Sequence, residues 1–132
     1  MSTLNIRAAL EAALGGLTPA LDTVWENTAF TPVAGVAYQA AALLLAEPEN
    51  PELGQTVLQR GSLQVTLMYP QDGGPLPAAT RAELIRATFR RGLSLTANGV
   101  VTMIERTPEI APGVAVGDRY AVPVRVRFRS TY

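Results

Sequence analysis

Residues 119–129 constrain the fold more than any other stretch of this 132-residue chain. Tyr120, Val122, Val124, Val126 and Phe128 alternate with Ala121, Pro123, Arg125, Arg127 and Arg129. A period of two puts the first set on one side of an extended strand and the second on the other. The chain therefore builds a sheet with one apolar face that another layer must cover. Pro123 has no amide to give to a ladder, so its side of the strand meets an edge, a bulge or a break in pairing.

Two amphipathic helices supply the cover. Residues 4–17 repeat Ile6, Leu10, Ala13, Leu14 and Leu17 at spacings of three and four, with Arg7 and Glu11 one turn apart elsewhere on the helix. Thr3 or Asn5 is the expected N-cap, and Gly15-Gly16 followed by Pro19 the expected end. Residues 77–91 place Ala78, Ala82, Ile85 and Phe89 on one face, widened by Leu84 and Thr88, with Glu83 near Arg86. Pro77 suits a first helical turn and Gly92 a left-handed terminator.

The remaining segments read as strands and loops. Ser62 to Tyr69 alternates cleanly between Gly61 and Pro70. Asn98-Gly99 predicts a tight hairpin joining Leu93–Ala97 to Val100–Arg106. Val24 to Asn27 reads as a short strand with Val24 and Glu26 on one side. Val36 to Ala46 has five alanines and three leucines, which suit a helix, but its proline and glycine flanks suit an extended segment equally well. The reading taken is a strand through its middle. Glu47 to Leu53 and Gln71 to Pro75 are loops, and so is Thr107 to Asp118, whose Ile110, Val114 and Val116 anchor it or meet a neighbour. The expected architecture is α+β: one domain over 1–132, with a mostly antiparallel twisted sheet and two helices packed on one face.

Composition removes most chemistry. The chain has no cysteine, no histidine and no lysine. Disulfides, thiol catalysis and the commonest metal ligand and general base are excluded. Ser62 and Ser94 have no base to activate them. Asp22 and Glu26 have nothing to hold them as a catalytic pair. Asp72-Gly73-Gly74 lacks the other oxygen ligands of a calcium loop, and Gly113 to Gly117 lacks a dinucleotide fingerprint. No catalytic, cofactor or metal residue is assigned. The longest apolar stretch, Ala40 to Ala46, is far too short to span a membrane, and no targeting signal is visible.

Charge is the remaining functional pattern. The formal net charge is zero, but residues 1–80 carry two arginines against seven acids and residues 81–132 nine against four, leaving −5 and +5. Such a split suits head-to-side packing of identical subunits, although sequence halves need not coincide with spatial halves. Arg125, Arg127 and Arg129 form a stripe roughly 14 Å long at strand rise. It can be a solvated face, a contact with nucleic-acid phosphate, or a subunit interface paired with acids such as Glu47, Glu49, Glu52 or Asp72. Zero net charge argues against a tight free-standing DNA binder.

An ordered set of short motifs runs through nearly the whole chain. It starts with Ile6-Arg7-Ala8-Ala9-Leu10-Glu11, then Trp25-Glu26-Asn27 with Phe30, Pro32 and Tyr38, and Leu43-Leu44 before Asn50-Pro51 and Gly54. It continues through Gly61, Leu67-Met68-Tyr69-Pro70 and Phe89-Arg90-Arg91-Gly92. It closes with Thr107 to Gly113, Asp118-Arg119-Tyr120 and Val122-Pro123-Val124. The set resembles the small tail terminator, or tail completion, family of bacteriophages with long non-contractile tails. One departure is Gly35-Val36-Ala37-Tyr38, where a second proline is expected before the tyrosine.

The resemblance implies a structural virion protein of the head–tail junction, made and assembled in the bacterial cytoplasm. It implies a ring, expected to be a hexamer, that caps the tail tube protein, stops tube polymerisation and offers a joining surface to the head–tail connector protein. DNA passes through the channel without specific binding, and no cofactor, enzyme activity or membrane contact is implied. The alternatives are another neck or head-completion component, or a small nucleic-acid binding module.

Overall fold

The computed structural model describes residues 2–132. Helix α1 spans Ser2–Gly15. It buries Ile6, Ala9, Leu10 and Leu14, and Leu17 just beyond it is also buried. Thr3 and Asn5 lie inside the helix rather than at its cap. The amide of Gly16 closes the last turn on the Ala12 carbonyl at 3.0 Å, as the glycine pair predicts. Helix α2 spans Leu76–Thr88, shorter at its C-terminal end than its sequence pattern suggests. The Phe89 amide still bonds to Ile85, after which Gly92, at φ 87°, turns the chain into the next strand.

Among the described residues, eight strands form one sheet. They are β1 Asp22–Val24, β2 Tyr38–Leu45, β3 Leu58–Pro70, β4 Ser94–Ala97, β5 Val100–Ile104, β6 Glu109–Ile110, β7 Val114–Val116 and β8 Arg119–Thr131. The order is β1-β2-β3-β8-β5-β4, with β6 and β7 also on β8, and among these pairings only β1 with β2 is parallel. The middle of 36–46 is the strand taken from its flanks. The Asn98-Gly99 hairpin also forms where read, with φ values of 49° and 81° that fit a primed turn.

Two further readings need correction. The first strand covers Asp22–Val24 and stops before Trp25, because Glu26 and Asn27 turn the chain and Asn27 takes φ 56°. The segment 107–118 is not simply a loop, since β6 and β7 both pair with β8. Strands of two and three residues show too little alternation to be seen in a sequence.

β8 organises the sheet. β3 pairs with it along its full length, from Leu58↔Thr131 to Pro70↔Arg119. Its other edge is covered in series by β5 at Phe128–Ser130, β6 at Val124–Arg125 and β7 at Arg119–Ala121. Pro123 sits at the gap between β6 and β7, where its carbonyl accepts the Ala111 amide at 2.9 Å and its absent donor is not needed.

Val124, Val126 and Phe128 are buried with Leu63, Val65 and Leu67 of β3 beneath the two helices, against Ile85 of α2 and Phe89 at its end. Gly61 lies under the Phe128 ring. A Cβ there would fall 2.4 Å from the Leu44 carbonyl oxygen and 2.9 Å from the ring, so only glycine fits.

Candidate assembly surface

Among the described residues, both helices pack on the core face and none covers the other face of the sheet. Its centre is built from Gln64 and Thr66 of β3 beside Arg125 and Arg127 of β8, flanked by Ala40 and Ala42 of β2. Arg125 and Arg127 are half-buried and Arg129 is exposed, on the face opposite the core. Two shallow grooves run along this stripe. One, of about 380 Å³, lies among Leu44, Ser62, Glu105, Arg125 and Arg127. The other, of about 430 Å³, lies among Pro51, Val101, Met103 and Arg129.

Among the described residues, the stripe and its surroundings form three ion pairs within the chain. Arg127 reaches Glu109 of β6 at 3.8 Å. Arg60 bridges Glu49 at 2.5 Å and Glu105 at 3.4 Å. Glu49 is therefore engaged inside its own chain. Arg129 lies 3.8 Å from the Met103 sulfur. Among the described residues neither Arg125 nor Arg129 has a carboxylate in salt-bridge range. Glu47 and Glu52 stand on the 46–57 loop near the Arg129 end. Asp72 sits at the far end of the sheet, in the turn after β3, at φ 67°. The stripe's acidic neighbours within the chain are thus Glu105 and Glu109. Glu105 is placed by its own amide bond to the Arg127 carbonyl just after β5, and Glu109 by the pairing of β6 with β8. All these pairs are solvated, and each contributes about 0–1 kcal/mol.

Three further polar anchors escaped the sequence reading. Glu26 takes over where β1 ends: one of its oxygens accepts the Leu43 amide of β2 at 2.6 Å and Arg7 Nη1 at 2.9 Å, while Arg7 also reaches Glu11 at 3.3 Å. The Leu43 amide first, and Arg7 second, hold its carboxyl below the usual range. Arg119 is buried. Its guanidinium donates to the carbonyls of Val36 and of Val33, the latter at 2.7 Å, and lies 5.0 Å over the Tyr38 ring. Phe30 packs on Tyr38 at 5.1 Å, so Arg119 pins the whole 30–38 connection. Arg81 of α2 is buried as well and donates to the Pro19 carbonyl. Its position was readable, because it falls three residues after Ala78 and four before Ile85, on the apolar stripe.

The described residues contain no cluster of three or more acidic side chains suited to a metal, and no helix long and apolar enough to cross a membrane. Fold and surface together give an α+β protein with a buried core under two helices and one sheet face that carries the arginine stripe. The family model for phage tail terminator proteins matches residues 5–128, and the chain belongs to that family. Six solved chains also match. One of them superposes with a TM-score of 0.83 at 26% sequence identity, over 100% of this chain and 97% of that chain. No curated protein matches. Membership makes this a structural component of a virion tail rather than an enzyme.

Proposed function

We propose that residues 1–132 act as one unit that caps the phage tail tube as a ring, with six subunits the expected number. The ring stops tube polymerisation and presents the surface that the head–tail connector binds, with DNA passing through its channel. Assembly takes place in the host cytoplasm before the tail joins the head. The observation that carries the reading is the family match over nearly the whole chain. The uncovered sheet face adds to it, since Arg125 and Arg129 have no carboxylate in salt-bridge range among the described residues and suit acids on a neighbouring subunit or a tail component.

Electron microscopy of the purified protein, alone and mixed with tail tubes, tests the cap. Rings at tube ends are expected; tubes that keep growing and carry no cap refute it. Replacing Arg125, Arg127 and Arg129 together by glutamine tests where the stripe lies. Interface arginines give a folded monomer by circular dichroism and weakened rings by native mass measurement. Channel or surface arginines leave rings intact. A duplex affinity on the order of micromolar that falls steeply with salt, and vanishes in the variant without an assembly defect, favours a nucleic-acid role instead.

A further inference from the structure

The groove between the first half of α2 and the α1–β1 connection holds a cation without a counter-ion. It encloses about 560 Å³ among Pro19, Tyr69, Leu76, Thr80, Arg81 and Leu84, and Arg81 is its one charged group. Arg81 is 5% exposed. It bonds to the Pro19 carbonyl, its Nε has no partner, and it has no carboxylate among the described residues. Burial lowers the pKa of the guanidinium, with Tyr69 acting in the opposite direction. A buried charge left unpaired is costly, and a carboxylate brought in from outside relieves it.

The chain also displays the complementary shape. Leu53, on the 46–57 loop between β2 and β3, is 104% exposed, the most open large apolar side chain described. Glu52 precedes it and Pro51 stiffens the approach. Thr56 Oγ1 donates to one Glu52 oxygen at 2.7 Å and leaves the other available. An apolar plug beside a carboxylate matches an apolar groove beside an unpaired guanidinium. The plug cannot fill its own groove. The loop enters β3 at Leu58 and the groove is lined by Tyr69, so the length of the strand, roughly 36 Å at ordinary rise, separates them.

The geometry points to a head-to-tail contact in which Leu53 of one copy enters the groove of the next and Glu52 pairs with Arg81 there. Two different patches meet, so the contact repeats from copy to copy until rotation closes it. This rests on the ring reading above and names the contact that builds the ring.

The absence of cysteine gives a clean test. Leu53→Cys and Thr80→Cys are made as separate full-length variants, both at exposed positions. Mixed under oxidising conditions, alone and with tail tubes, they are expected to give a disulfide between the two variants and little within either. In parallel, the double variant Glu52→Gln/Leu53→Asp is expected to fold as before and to weaken association about tenfold or more, because it removes a buried leucine and the charge of the pair. Arg81→Met is expected to weaken association similarly, and the loop variants decide the matter should that one fail to fold. An oligomer that forms without the mixed disulfide, or with undiminished strength in the double variant, overturns this contact and leaves the ring reading standing. No oligomer at any concentration and none on tail tubes overturns both.

Discussion

Glu26→Ala removes the side chain that replaces a missing stretch of β1. Two bonds end on one oxygen: the Leu43 amide at 2.6 Å and Arg7 Nη1 at 2.9 Å. Leu43 is 8% exposed, so its amide is left short of a partner, which costs about 1–3 kcal/mol where water cannot reach. The Arg7 pair, with side chains 35% and 40% exposed, adds about 0.2–1 kcal/mol. The carboxylate lies on the solvated rim, and water replaces part of what is lost. The net expectation is about 1–2 kcal/mol, or a melting temperature lower by about 3–8 °C for a chain of this length. Glu26→Gln keeps an oxygen for Leu43 and costs about half as much.

The two variants separate packing from charge by their response to pH. The folded carboxyl has its pKa lowered, so the charge-dependent stabilisation is complete above the unfolded value, near 4.5. It is lost as pH falls through the folded value. The gap between wild type and Glu26→Gln is therefore expected to be constant near neutrality and to close in acid. Urea unfolding of each protein across pH, followed by circular dichroism, measures it. A gap that stays constant into strong acid, or no loss of stability in Glu26→Ala near neutral pH, refutes the account of Glu26 as a surrogate for strand pairing.

Gly61→Ala is expected to destabilise by about 1–3 kcal/mol, because the new methyl meets the Leu44 carbonyl and the Phe128 ring, and a backbone atom cannot yield without moving β2; thermal unfolding checks it. Arg119→Lys keeps the charge but loses the planar fork on Val33 and Val36, so the Val36 amide, bonded to the Val33 carbonyl at 3.1 Å, should exchange with solvent at least about tenfold faster while β3 amides are unaffected. At least one of the loops Glu47 to Leu53 and Gln71 to Pro75 should be less protected from exchange in the free protein than in a particle where it is docked; equal protection in both states counts against recognition by these loops.

The sequence spoke clearly where one side chain in two or four meets a different medium. The two faces of β8, the alternation of β3 and the apolar stripes of both helices were legible for that reason. What escaped depended on contacts between segments remote in the chain. β6 and β7 exist because β8 offers an open edge, not because three residues such as Val114–Val116 prefer a strand. Glu26 and Arg119 look like ordinary surface charges until the backbone groups they satisfy, at Leu43 and at Val33 and Val36, are brought beside them. The arginine stripe was found on its correct face. Its neighbour Glu109 was not, since that residue reaches Arg127 only through β6.

The position of β8 in the chain has a consequence for biosynthesis. β3, β5, β6 and β7 all precede it in sequence, and each takes β8 as a neighbour. As the chain leaves the ribosome, Leu63, Val65 and Leu67 emerge with one strand edge open and wait for a partner more than fifty residues further on. The β5 to β7 series waits for the same segment. No N-terminal fragment can close the sheet, so the chain commits to its fold late and as a whole, and a nascent chain arrested before Arg119 exposes both open edges and apolar surface to chaperones or to aggregation.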